Sequence, residues 1–173
     1  MIIIFTGNGK GKTTAAMGTA LRSLSANKVV TIIQFLKLAS SGEIKFLSKI
    51  IDKLDSKLTI RCFGIKSFIN PNAVKESDKK RIDKALNYTQ NIISKKPYLL
   101  ILDEILIALK FGLLKEEILL QIIDDCNNKK IHLILTGRYA SKNLINKADL
   151  VTEMKKIKHP YDKKIKAIEG IDF

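Results

Sequence analysis

A three-layer α/β fold, with a mostly parallel sheet between two layers of helices, is what this 173-residue sequence predicts. Three observations predict it. Short continuous apolar runs, the kind that form strands buried on both faces, alternate with segments of helical spacing. The first run leads straight into a loop of glycines and lysines followed by a helix-forming stretch. A later run ends in paired carboxylates, Asp103-Glu104, and ligands of such sheets bind at the carboxyl ends of strands.

Taken in order, the apolar runs predict strands at 2–6, 29–35, 58–62, 98–103 and 131–136. Between them, helices are predicted over about 12–26 and 43–53, with a short turn at 141–147. Ile82, Ala85, Leu86, Thr89, Ile92 and Ile93 form one apolar stripe at helical spacing, and Ile118, Leu119, Ile122, Ile123 and Cys126 another. Each stripe packs one helix face on the sheet, joined by right-handed crossovers.

The length fits one domain spanning 1–173, since domains usually hold roughly 100–200 residues. With 46% hydrophobic and 28% charged residues the chain can bury a core, so wholesale disorder is excluded. No apolar run approaches the roughly 18–20 residues that span a bilayer. Nor does a basic leader or cleavage site accompany the first strand, so the expected address is cytoplasmic, with no membrane partner. Cys62 and Cys126 lie far apart without metal-ligand spacing; both are expected in the core.

The string Thr6-Gly7-Asn8-Gly9-Lys10-Gly11-Lys12-Thr13-Thr14 is a P-loop arrangement. Its glycines let backbone N–H groups converge on phosphate oxygens, and the helix that follows adds a positive dipole end. Lys12 neutralises phosphate charge and Thr13 offers a hydroxyl to Mg²⁺. The bland alternative is a flexible Gly/Lys turn. The usual spacing, G-x-x-x-x-G-K-[ST], is not met: Thr6 stands where the first glycine belongs and Gly7 comes one position late. This departure suggests a phosphate chain held differently from that of an ordinary NTPase.

Asp103 and Glu104 then supply carboxylates for Mg²⁺, directly or through water. Leu133-Ile134-Leu135-Thr136-Gly137-Arg138 delivers an arginine to the same sheet edge, to hold a phosphate or cap a loop. The stretch 149–162 is basic and contains His159, read as structural rather than catalytic. Basic residues number 31 against 17 acidic, a formal charge of +14 that favours polyanions. Only four of the 31 are arginine, however (Arg22, Arg61, Arg81, Arg138), which favours a lysine-rich solvated surface over a base-reading one.

Beyond the loop, the chain resembles the ATP:corrinoid adenosyltransferases, the cobalamin adenosyltransferases built on a P-loop NTPase (RecA-like) fold. The likeness rests on Phe5 to Ala16 and then, in order, on Gln34-Phe35-Leu36-Lys37, Leu102-Asp103-Glu104 with Ala108-Leu109-Lys110-Phe111-Gly112, and Thr136-Gly137-Arg138. It continues through Ala148-Asp149-Leu150-Val151-Thr152-Glu153-Met154, Lys158-His159-Pro160-Tyr161-Asp162, Lys166-Ala167 and Gly170-Ile171-Asp172-Phe173. The resemblance implies transfer of the 5′-deoxyadenosyl group from MgATP to the cobalt(I) of a corrinoid, with release of triphosphate, ATP lying reversed so that C5′ is exposed. It implies that Gly7, Asn8, Gly9, Lys10, Gly11, Lys12, Thr13 and Thr14 wrap the triphosphate, that Lys12 balances charge, and that Thr13 and Glu104 contact Mg²⁺ with Asp103 supporting the metal shell. Lys37 and Arg138 would lie near phosphates or ribose. Phe68 would be the aromatic on the corrinoid face, against an ordinary core role. A homodimer and a flavoprotein reductase as electron donor are implied too.

Several positions depart from the resemblance. With strand one predicted to begin at Ile2, the N-terminal extension of some relatives is expected to be missing, and Lys164, Ile168, Glu169, Leu106 and Ile107 replace residues usual at their places. These bear on corrinoid affinity and site closure more than on ATP. Two other classes compete: a P-loop ATPase or kinase acting on the γ-phosphate, which would yield ADP, and a basic nucleic-acid module. The second is disfavoured by scarce arginine and scattered aromatics, so no nucleic-acid partner is expected.

Overall fold

In the computed structural model, which describes residues 1–36, 42–51, 57–64 and 73–171, the apolar runs form a single sheet. Its strands are β1 (Ile2–Thr6), β2 (Val30–Gln34), β3 (Leu58–Cys62), β4 (Leu99–Asp103), β5 (His132–Thr136) and β6 (Leu150–Glu153). They run in the order β3-β2-β4-β5-β1-β6, and every pairing is parallel. All carboxyl ends therefore share one edge.

The helices are α1 (Lys12–Ser25), α2 (Gly42–Ile50), α3 (Glu76–Ser94), α4 (Ile105–Lys110), α5 (Glu116–Asn128) and α6 (Lys142–Lys147). Both predicted stripes are core faces: Ile82, Ala85, Leu86, Thr89, Ile92 and Ile93 are buried on α3, and Leu119, Ile122, Ile123 and Cys126 on α5. Ile118 departs from its stripe and is exposed.

Two elements were not foreseen. The strand β6 extends the sheet beyond β1 as an edge with all four residues exposed, so it carries no apolar run to betray it. Helix α4 follows β4 with only Glu104 between them, because Glu104 takes a left-handed backbone (φ 61°, ψ 20°) that redirects the chain at once.

Strand alternation sorts the core into two layers. Ile33, Leu100, Leu102, Leu133 and Leu135 face α3 and α5, whereas Val30, Ile32, Leu99, Ile101 and Ile134 face Ala16, Met17 and Ala20 of α1. That parity positions the site. Gln34, Asp103 and Thr136 each lie two residues beyond an α1-facing position, so all three arrive on the α1 side of the carboxyl edge.

Candidate active site

The phosphate loop occupies the turn between β1 and α1. Thr6 stays in the strand, buried, and its hydroxyl accepts from the Ala140 N–H at 3.2 Å. The turn itself falls on Gly7, at φ 97°, where a Cβ would lie 2.5 Å from the Met154 carbonyl oxygen. Hence the glycine stands one position later than in the usual spacing. A Cβ on Gly9 would meet the same oxygen at 2.6 Å. After β6 the chain runs back along the loop: Met154 N–H donates to Thr6 O (2.8 Å), Gly9 N–H donates to Met154 O (2.6 Å), and Lys156 N–H donates to Asn8 Oδ1 (2.8 Å). Segment 153–156 is thus the outer wall of the loop, a role that sequence pattern did not disclose.

Gly11, at φ 111°, caps α1 without a side-chain hydrogen bond, so the helix begins facing the cleft with its dipole undiminished by a capping oxygen. Lys12 is only 8% exposed and reaches over the loop to Gly9 O at 2.6 Å. The Lys10 ammonium contacts the Ile171 carbonyl. Around these residues lies a cleft of about 810 Å³, bordered also by Glu43, Glu104, Arg138, His159 and Tyr161.

Beneath it sits a buried polar network. Asp103 is fully buried; its Oδ1 accepts from the Thr13 hydroxyl at 2.9 Å and from Thr136 at 2.7 Å, and its Oδ2 accepts from Gln34 Nε2 at 2.9 Å. Register explains the meeting, since Gln34 pairs with Asp103 and Leu102 with Leu135, one step before Asp103 and Thr136. Thr13 donates its proton to Asp103, so a cation would meet its oxygen as an acceptor. Glu104 is partly exposed at the cleft.

These donors suit Mg²⁺ arriving on a nucleotide, which needs only one or two carboxylates and a hydroxyl because phosphates supply other ligands. A self-sufficient cage is a different matter: among the described residues no group of three or more His, Cys, Asp or Glu could hold a metal ion.

Of the predicted residues, Asn8 to Thr14, Glu104 and Arg138 line one cleft, with Gly7 behind the loop and Asp103 below. Lys37 and Phe68 lie outside the described residues. The imidazole of His159 accepts at Nδ1 from Tyr161 N–H (3.1 Å), capping the 3-10 turn Pro160–Lys163, the structural role predicted. Hydrogen bonding to Lys156 (2.8 Å) pulls the Asp162 carboxyl below its ordinary value. Cys62 is a correction: it is half-buried rather than core, donates to Gln34 Oε1 at 3.3 Å, and has its thiol pushed up first by burial and then by Asp103.

Reasoning from motifs missed Gln34 and Thr136 as network members and Glu43 as a cleft residue, whose carboxylate accepts from Thr14 Oγ1 at 3.3 Å. Strand parity could have found the first two; each is the polar residue closing an α1-facing row.

A family model described as "ATP:corrinoid adenosyltransferase BtuR/CobO/CobP" matches residues 1–173. The chain belongs to this family. Among its relatives, the corrinoid adenosyltransferase of Sinorhizobium sp is 32% identical over 175 residues, covering 100% of this chain and 80% of the relative. That of Escherichia coli (strain K12) is 30% identical over 175 residues, with 100% and 85% covered. The corrinoid adenosyltransferase CobA of Salmonella typhimurium is 31% identical over 178 residues, again with 100% and 85% covered. The phosphate loop, the Asp103-Glu104 pair and Thr136-Gly137-Arg138 of this chain are on adjoining strand ends. No helix among the described residues is long and apolar enough to cross a membrane.

Proposed function

We propose that this corrinoid adenosyltransferase joins the 5′-deoxyadenosyl group of MgATP to the cobalt(I) of a corrinoid and releases triphosphate. The observation that carries the reading is the family match along all of 1–173, joined to an intact phosphate loop at the mouth of the cleft. Cobalt(I) of the substrate attacks C5′; a Co–C bond forms as the C5′–O bond breaks, and its electron pair leaves with triphosphate. Since the substrate brings its own nucleophile, the protein's task is to align the attack and stabilise the leaving charge.

The residues divide that task. Gly7, Asn8, Gly9, Lys10, Gly11 and Thr14 surround the triphosphate, with Lys12 set against the charge that grows on the leaving oxygen. Thr13 and Glu104 hold Mg²⁺, which when bound offsets phosphate charge, and Asp103 steadies Thr13. Arg138 and Lys37 approach phosphate or ribose, and Phe68 meets the corrinoid. The working form is a cytoplasmic homodimer served by a flavoprotein reductase. A γ-phosphate kinase or ATPase would use the same loop but leaves the family match without an account. The test is anaerobic: protein, MgATP and chemically reduced cob(I)alamin, followed by absorbance, should yield a light-sensitive alkylcobalamin. A spectrum that never changes while ATP is bound contradicts the proposal.

A further inference from the structure

Thr136 is a member of the buried network around Asp103 and belongs to no phosphate-loop or carboxylate motif. Its hydroxyl has a single proton, given to Asp103 Oδ1 at 2.7 Å, while its oxygen accepts the Glu104 backbone N–H at 2.9 Å. One side chain therefore ties down both acids of the pair, the first by its carboxylate and the second by its backbone. Glu104 needs the tie because its φ of 61° is one that non-glycine residues seldom adopt.

The next residue reinforces the arrangement. Gly137 sits at φ 137°, and a Cβ there would stand 2.8 Å from Leu106 Cβ and 3.0 Å from Ile107 N. The end of β5 is thus pressed against the first turn of α4, the helix that Glu104 opens. Thr136 is fully buried, so water has no ready access to replace its hydroxyl. Asp103 Oδ1 is also the acceptor of the Thr13 hydroxyl, so a displaced Asp103 would carry the phosphate-loop threonine with it.

We propose that Thr136 is a positioning residue that holds Glu104 and the Asp103–Thr13 pair in the mutual placement required to receive the cation of MgATP; this rests on the nucleotide reading of the cleft given above. Glu104 and Thr13 come from different elements, and Thr136 links the two. It acts through them and touches no substrate.

Calorimetry on the full chain tests this without any corrinoid. ATP binding is measured with Mg²⁺ and with EDTA for the wild type, Thr136→Val and Thr136→Ser. Valine keeps the shape but removes both hydrogen bonds. The expected result is that Mg²⁺ tightens ATP binding to the wild type and that Thr136→Val loses at least tenfold of that tightening. Its affinity for ATP in EDTA should change less than twofold, and Thr136→Ser should stay within threefold of wild type throughout. Should the valine variant fail to fold, Thr136→Cys, with its weaker donor and acceptor, must lose at least threefold of the Mg²⁺-dependent tightening relative to serine. Full retention of the tightening in Thr136→Val or Thr136→Cys overturns the proposal. So does an equal loss with and without Mg²⁺, which would mark a merely structural residue. A wild type that binds MgATP but makes ADP would sink the adenosyl-transfer reading and leave this one standing.

Discussion

Replacing Gly7 by alanine separates the two demands placed on the phosphate loop, because the methyl group acts on the fold before it acts on any nucleotide. The new Cβ would lie 2.5 Å from Met154 O, 2.8 Å from Met154 N and 2.9 Å from Glu153 Cγ, and two of those three atoms are backbone. Segment 153–156 must therefore move. An L side chain at the φ of 97° adds about 1–2 kcal/mol of strain. Moving Met154 away weakens its hydrogen bonds to Thr6 O and from Gly9 N–H, each contributing about 1 kcal/mol. The loss is then about 2–4 kcal/mol, a large part of a typical stability of about 5–15 kcal/mol. At roughly 2–4 °C per kcal/mol for a chain of this length, melting should fall by roughly 5–15 °C in calorimetry without nucleotide. Gly18→Ala is the control: it lies inside α1 with nothing within 4 Å of a built Cβ, so alanine should stabilise by about 0.5–1 kcal/mol through helix propensity. A Gly7→Ala protein melting within about 2 °C of wild type would refute the claim that segment 153–156 walls the loop.

Three further outcomes test the proposed residue roles and the burial of a thiol. Lys12→Ala should lower turnover about 10²-fold or more, the scale of losing a preorganised charge contact, and unchanged turnover would remove its role. Phe68→Ala should harm reactions begun from cobalt(II) more than those given pre-reduced cobalt(I), since the aromatic's proposed work precedes alkyl transfer; equal losses would cancel that role. Burial pushes the Cys126 thiol up to about 12, so its neutral form is favoured in the fold. The resulting stability is fully present below the unfolded pKa of about 8.5 and is lost as pH rises through that value towards the folded one. Urea midpoints between about pH 8 and 10.5 should fall less steeply for Cys126→Ala than for wild type, and parallel slopes would contradict this.

Much of this fold was legible because buried parallel strands write themselves as unbroken apolar runs, as Leu99-Leu100-Ile101-Leu102 does, and because α3 and α5 carry stripes at helical spacing. The strand β6 was hidden for the opposite reason: an exposed edge strand has no buried face to pattern its sequence. The phosphate loop announced itself through residue types whose chemistry is local. Its outer wall did not, since Met154 acts with backbone atoms that any residue would supply. Gln34 and Thr136 lay between these cases. Their polarity at the ends of apolar strands was visible, but their convergence on Asp103 depends on strand order, which places β2 and β5 on either side of β4.

The central claim is the bond that breaks, and ³¹P NMR of the phosphorus products during anaerobic turnover with MgATP and cob(I)alamin reads it directly. The account predicts one inorganic triphosphate for each Co–C bond formed, with no ADP. ADP and orthophosphate accumulating, with the corrinoid unalkylated, would mean attack at the γ-phosphate and would contradict it.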